Sequence, residues 1–143
     1  MKGHEPSLMG NRDQDFVPQG VYPCEGDDQW VAISVTNEQA WEVLCEIAEL
    51  PTDWVALTRS ERLTLHDTID AELASWTSTL DQIELAATLQ EVGVAAAPVL
   101  NIPGVLGDVH LDARSAFQEV QQPRVGALRL PCLPIHFSSA SKR

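Results

Sequence analysis

Gly10–Thr36 reads GNRDQDFVPQGVYPCEGDDQWVAISVT, and its second half decides the fold. Two short β-forming runs, Val21–Cys24 and Trp30–Val35, flank the acidic turn Glu25-Gly26-Asp27-Asp28. Gly and Asp tolerate the left-handed backbone that a tight reversal requires, so the pattern predicts a β-hairpin. In the second run Val31, Ile33 and Val35 alternate with Ala32 and Ser34, giving one strongly apolar face and one mixed face. Pro23 has no N–H to give to a ladder, which assigns its strand to a sheet edge or a bulge.

Downstream the period changes from two to about three and a half. Thr36-Asn37-Glu38-Gln39 fits a capping box, and Trp41, Leu44, Cys45 and Ala48 make an apolar stripe on a helix running to Leu50, ahead of Pro51. Trp54 falls in the connection that follows. Thr58-Arg59-Ser60-Glu61 opens a second helix to about Trp76, with Leu65, Ile69, Leu73 and Trp76 on one side. Thr79-Leu80-Asp81-Gln82 opens a third, carrying Leu85, Leu89 and Val92, and Gly93 stands where a C-terminal cap glycine belongs. Val94–Leu100 reads as a strand beside the hairpin. Asn101–Gly107 reads as loop or a single helical turn, Asp108–Ala116 as a short helix capped by Asp108, and Phe117–Gln121 and Ala127–Leu130 as short strands. The expectation is an α+β fold: a small, mostly antiparallel sheet packed with about three amphipathic helices. Residues 1–19 form an N-terminal arm, 20–130 the domain, and 131–143 a departing tail.

At 143 residues the chain is long enough to bury a core without staples. Its net charge of −12 argues against nucleic acid or an anionic membrane as partner, because phosphate binding needs clustered Lys and Arg. Cys24, Cys45 and Cys132 are too widely spaced for a CxxC zinc site. An odd cysteine count with no apolar leader at the N-terminus predicts a reducing cytoplasm.

Few residues suggest chemistry. His110 is either a ligand or acid/base group or a structural histidine, and the structural reading is adopted because no second histidine lies near it. Asp13, Asp15, Asp27 and Asp28 read as solvated turn residues rather than a paired-carboxylate site. No GxSxG, GxGxxG, P-loop or HExxH pattern is present. No catalytic residue and no metal site are assigned. Of four tryptophans, Trp41 and Trp76 lie on helical apolar stripes, whereas Trp30 and Trp54 are better placed to line a surface groove and touch a ligand or partner.

Several blocks together resemble one known family. GNRD…PQGVYPC.GDD.WVAI.V, then LQEVGVAAAPVL (Leu89–Leu100), then Asp108-Val109-His110-Leu111…Ala113-Arg114…Phe117…Glu119-Val120…Pro123…Gly126…Leu128-Arg129…Pro131…Pro134 are similar, in order, to segments of the family III CoA-transferases. That group includes formyl-CoA, carnitine and bile-acid CoA-transferases. The resemblance implies the small domain of such an enzyme, with stubs of both linkers. The family works through a catalytic aspartate in a large N-terminal domain, and that domain has no counterpart in this chain. Some members place a glycine-rich mobile loop where this chain has Arg12–Phe16. Arg12 and Arg114 are the basic residues best placed by the match, and each faces either a coenzyme A phosphate or a structural carboxylate. Coenzyme A binding is thus an expectation of the resemblance alone.

The resulting function is a truncated CoA-transferase-like small domain without acyl transfer of its own, acting as a subunit or fragment of a CoA-transferase, with a separate large-domain chain as the possible partner. The alternative is a free-standing binding or assembly module that retains the fold. Met1 and the Ser/Lys tail favour a natural short gene. Loss of the large domain should uncover apolar surface, which predicts a homo-oligomer, a dimer in the first instance.

Overall fold

A computed structural model of the chain describes residues 9–133. Its elements run β1 (Gln19–Pro23), β2 (Trp30–Ser34), α1 (Glu38–Ile47), a 3₁₀ turn (Thr52–Ala56), α2 (Arg59–Thr64), α3 (His66–Thr77), α4 (Gln82–Glu91), β3 (Ala95–Pro98), α5 (Ile102–Gly107), α6 (Val109–Ala113), β4 (Phe117–Gln122) and β5 (Gly126–Pro131). The chain divides into two compact units, Met1–Val99 and Leu100–Arg143. The fold is α+β with small antiparallel sheets, as the sequence predicts.

The first unit is built on a three-stranded antiparallel sheet in the order β1-β2-β3. Tyr22 pairs with Val31 and Gly20 with Ile33 across the hairpin, and Ile33 pairs with Ala96 on the far side. The apolar face of β2 turns inward: Val31, Ile33 and Val35 are all buried. The helices supply Trp41, Leu44, Ile69, Leu73 and Leu89 to the same core. α3 lies against β1, and α4 against β2 and β3. Pro23 sits at the end of an edge strand, where its missing N–H costs nothing.

Local signals set most helix ends. Thr58 and Glu61 close a reciprocal capping box on α2. Gly93, at φ +86°, takes the left-handed position after α4, with Val94 N–H bonded to Leu89 O at 2.9 Å. The first cap differs from expectation by one residue: Asn37, not Thr36, caps α1, its side chain accepting from Ala40 N–H at 2.9 Å. Asp81 rather than Thr79 caps α4. The long second helix is two helices, broken at Leu65. No Gly or Pro marks that break, and buried Arg62 and His66 flank it.

Arg62 is 3% exposed and knots this unit together. Its Nε donates to Val17 O at 3.1 Å and its Nη1 to Leu57 O at 2.9 Å. Both terminal nitrogens donate to Glu38, at 2.7 and 2.8 Å, a bidentate fork. The guanidinium also lies 5.1 Å from the Trp41 ring centroid. The N-terminal arm, α1, the 3₁₀ connection and α2 therefore meet at one side chain.

The second unit is a helical pair and a hairpin. Asn101 caps α5 and Asp108 caps α6, the latter accepting from Leu111 N–H at 2.7 Å. β4 and β5 pair from Phe117↔Pro131 to Gln122↔Gly126, as a second sheet of their own. Arg129 reaches from the hairpin to Leu106 O and to Asp112, both at 2.6 Å, and lies 5.2 Å from the Phe117 centroid. Pro134–Arg143 and Met1–Leu8, with His4 and His136, lie outside the described residues.

Arg62→Ala should lower the unfolding free energy by about 2–4 kcal/mol, because a buried carbonyl (Val17) and a part-buried one (Leu57) lose their donor and such a loss costs about 1–3 kcal/mol. Arg62→Lys should recover only part of it, since an ammonium cannot form the fork. Urea unfolding checks this, and both variants lying within about 0.5 kcal/mol of the parent would contradict the structural role given to Arg62.

Candidate functional site

The densest polar constellation of the first unit centres on Asp70. α3 places Asp70 one turn after His66, and the arm and β1 bring up Arg12 and Tyr22. Arg12 Nε and Nη2 donate to Asp70 Oδ2 at 3.0 and 2.6 Å. Arg12 Nη2 also lies 2.7 Å from Asp67 Oδ1. Tyr22 Oη donates to Asp70 Oδ1 at 2.8 Å. His66 Nε2 stands 3.8 Å from the same oxygen, beyond hydrogen-bond reach, and is buried without a partner. The packing is close enough that a methyl at Gly20 would fall 2.9 Å from Tyr22 Oη.

The electrostatics of this cluster are those of a closed latch. Hydrogen bonds donated to Asp67 and Asp70 raise the Arg12 pKa further. Burial, helped by the Asp70 charge, pushes the Tyr22 phenol well above its ordinary value. Burial lowers the His66 pKa, with Asp70 and Asp67 opposing the shift and Arg12 adding to it. Both oxygens of Asp70 are engaged, so its carboxylate is occupied in holding the arm. What the arrangement does chemically is fix residues around Arg12 onto β1 and α3.

All three basic residues among the described part of the first unit are spent the same way. Arg12 binds Asp67 and Asp70, Arg59 binds Asp15 in the arm, and Arg62 binds Glu38 and Val17 O. Asp13 accepts from Asp15 and Phe16 N–H, and Asp28, at φ 53°, accepts from Trp30 Nε1 at 2.9 Å, so one member of each acidic pair bonds locally, while Asp15 takes Arg59. Trp30 is exposed at the end of β2. Trp54 is half-buried, and its carbonyl takes the Trp41 Nε1 proton at 3.0 Å. Arg114 ends α6 in the second unit, exposed, and forms no ion pair among the described residues. His110 lies on the same helix, exposed, its carbonyl accepting from Arg114 N–H at 3.1 Å.

The clefts of the first unit are elsewhere. One of about 490 Å³ between α1 and the 3₁₀ turn is lined by Glu42, Glu46 and Glu49 over an apolar floor. One of about 300 Å³ lies beside Trp76 and Leu85, with Asp81 and Glu84 at its edge. A third, of about 480 Å³, lies over the outer face of the sheet at Val21, Ala32 and Ala97. None of the three is lined by Arg12, Trp30, Trp54 or Arg114. Carboxylates at two of these mouths repel a phosphate-bearing ligand. Among the described residues, no group of His, Cys, Asp and Glu is arranged to hold a metal ion. Burial raises the thiol pKa of Cys24 and carries that of Cys45 to about 11, so neither is an activated thiolate.

The pattern defining CoA-transferase family III matches residues 1–143. The chain belongs to CoA-transferase family III. A succinyl-CoA:mesaconate CoA-transferase of Haloarcula marismortui is 33% identical over 85% of this chain, which covers 30% of that enzyme. A probable CoA-transferase of Mycobacterium tuberculosis is 32% identical over 78% of the chain and is matched over 14% of its own length. The crystal structure of a CAIB/BAIF family protein from Brucella suis superposes with a TM-score of 0.78 at 25% identity, covering 97% of this chain and 36% of that one. The chain thus spans a minor part of each of these relatives. Sequence reading found the family through Gly10–Thr36 and the two later blocks. It missed the Asp70 cluster, for which the i, i+4 spacing of His66 and Asp70 was the one local signal.

Because His66 titrates below its unfolded value near 6.5, the unfolded chain binds more protons just under that pH, so stability should fall as pH drops from 6.5 through the folded midpoint and level off below it. His66→Gln should flatten that segment of the stability–pH curve. An NMR titration giving His66 a midpoint at or above 6.5 would contradict the burial argument.

Proposed function

We propose that this chain supplies the small-domain part of a family III CoA-transferase, as a subunit or fragment, with the catalytic aspartate and the coenzyme A site supplied by the large-domain part. The observation that supports the reading is which share of the family the chain matches. The family pattern runs through residues 1–143, yet the chain covers only 30% of the Haloarcula enzyme. The charge arrangement supports it. Every described arginine of the first unit is tied to a carboxylate or to the arm, so phosphate recognition falls to other surfaces. Among the described residues Arg114 and Arg124 are exposed and outside any ion pair, and Arg114 is the one that lies at a position similar to the family's, which makes it the candidate for a coenzyme A phosphate. Cys24, Cys45 and Cys132 are free thiols, in keeping with a reducing cytoplasm.

A second reading, a free-standing assembly module that dimerises, is favoured by the outer sheet face. Val21, Ala32 and Ala97 form one rung there, with Ala97 exposed. On this reading the face is covered by a second copy.

The test is thioester exchange with succinyl-CoA and mesaconate. The purified chain should show none. Adding the unmatched part of the Haloarcula enzyme as a separate chain should restore exchange, and Arg114→Glu should raise the KM for acyl-CoA. Exchange by the chain alone would overturn the subunit reading. A stable dimer in sedimentation, with no exchange under either condition, would select the module.

A further inference from the structure

We infer that His66 is a proton-operated release for the arm: when its imidazole takes up a proton, Arg12 leaves Asp70 and the arm detaches ahead of Asp15, while Val17 and Pro18 stay in place. The device is a cluster drawn from α3, β1 and the arm. His66 and Asp70 stand one turn apart on α3 with Asp67 beside them, Tyr22 comes from β1, and Arg12 comes from the arm.

His66 is 6% exposed, and its Nε2 is buried with no hydrogen-bond partner among the described residues. Such an orphan is uncommon in a folded interior. A neutral ring can present a lone pair at Nε2, but an imidazolium must donate from both nitrogens. The carboxylate oxygen in range is Asp70 Oδ1, at 3.8 Å, and it already accepts from Tyr22 Oη at 2.8 Å. The other oxygen, Oδ2, takes Arg12 Nε and Nη2. A protonated His66 therefore draws on the same carboxylate that anchors the arm.

The charges around the ring set the direction. Arg12 faces it from the arm, Asp67 and Asp70 from α3, and Tyr22 from β1 as a phenol that burial keeps protonated. On α2, Arg62 gives its donors to Glu38, Val17 O and Leu57 O. The Asp67 side chain is 91% exposed and screened by water, whereas that of Asp70 is 23% exposed. Asp70 is thus the carboxylate for which Arg12 and a charged His66 compete. While the arm is closed, burial and the Arg12 charge both disfavour the proton on His66. Linkage is reciprocal, so the proton on His66 disfavours Arg12 by the same factor. The closed state binds the proton more weakly than the open one, and falling pH favours opening.

The other ties of the arm do not share that carboxylate. Arg59 holds Asp15, Arg62 Nε holds Val17 O, and Pro18 O accepts from Val35 N–H at 2.9 Å. Opening is confined to the residues before Asp15.

An NMR titration of the 143-residue chain between about pH 5 and 7.5, where histidine titrates and ordinary carboxylates stay charged, tests the device. The probes are the His66 ring signals, the Arg12 Nε–H that bonds Asp70, and the Val35 amide. Protection of the Arg12 Nε–H, measured against free arginine at the same pH, should fall at least ~10-fold on the acid side, following the His66 midpoint, with Val35 protected throughout. Arg12→Gln should raise the His66 midpoint by about 0.5 or more, a ~3-fold gain in proton affinity. His66→Gln should keep Arg12 protected through the whole range. A His66 that titrates while Arg12 stays protected overturns the proposal, as does one that stays neutral down to the acid limit. So does an Arg12→Gln variant with an unmoved His66 midpoint, or a loss of Arg12 protection that persists in His66→Gln. Loss of Val35 protection at the same midpoint also overturns it, because the whole arm would then unfold. If His66→Gln fails to fold, the midpoint in Arg12→Gln decides.

Discussion

The first unit depends on the guanidinium of Arg62. A buried cation is tolerated only when its donors are met, and here the partners come from parts of the chain far apart in sequence: Val17 O, Leu57 O and the Glu38 carboxylate, with Trp41 beneath. The two carbonyl contacts satisfy groups where helices meet the arm, while the Glu38 carboxylate, itself largely exposed, meets the buried charge. Trp41 is fully buried, and its own N–H goes to Trp54 O at 3.0 Å, so the knot continues through the 3₁₀ turn. The side chain thus connects elements whose apolar surfaces alone would not set their mutual register.

Arg12 and Arg59 extend the same logic along the arm. With 21 acidic and 9 basic residues, positive charge is scarce, and the first unit uses its described share to hold residues 12–17 against α2 and α3. A scaffold that consumes its cations in this way has little left for phosphates. That scarcity follows from the placement of three side chains rather than from net charge.

The fold was legible where its causes are local. The hairpin, the Thr58–Glu61 box, Gly93 and the Asp108 cap each depend on neighbours a few residues away, and each is found as read. The departures have longer-range causes. Asn37 and Thr36 are both competent caps, and only the docking of α1 decides between them. The break at Leu65 has no breaker residue and separates two buried polar side chains. Pairing of β4 with β5 is local, but their forming a sheet apart from β1–β3 is not written in either strand. The Asp70 cluster joins residues 58 positions apart, and composition alone could not choose which of many carboxylates Arg12 would find.

The prolines that close β1 and β3 have a consequence for the behaviour of the chain at high concentration. Both are edge strands, and Pro23 and Pro98 lie opposite Trp30 and Val31 at the same end of β2. An edge with unpaired N–H groups is a template for strand addition from another molecule, and proline removes one donor from each edge at the end where exposed Trp30 would make adhesion strongest. The apolar rim of this sheet is thereby open to side-chain contact while being a poor seed for cross-β growth. Side-chain contact at this rim and strand addition at its edges are thereby separable properties of the same sheet.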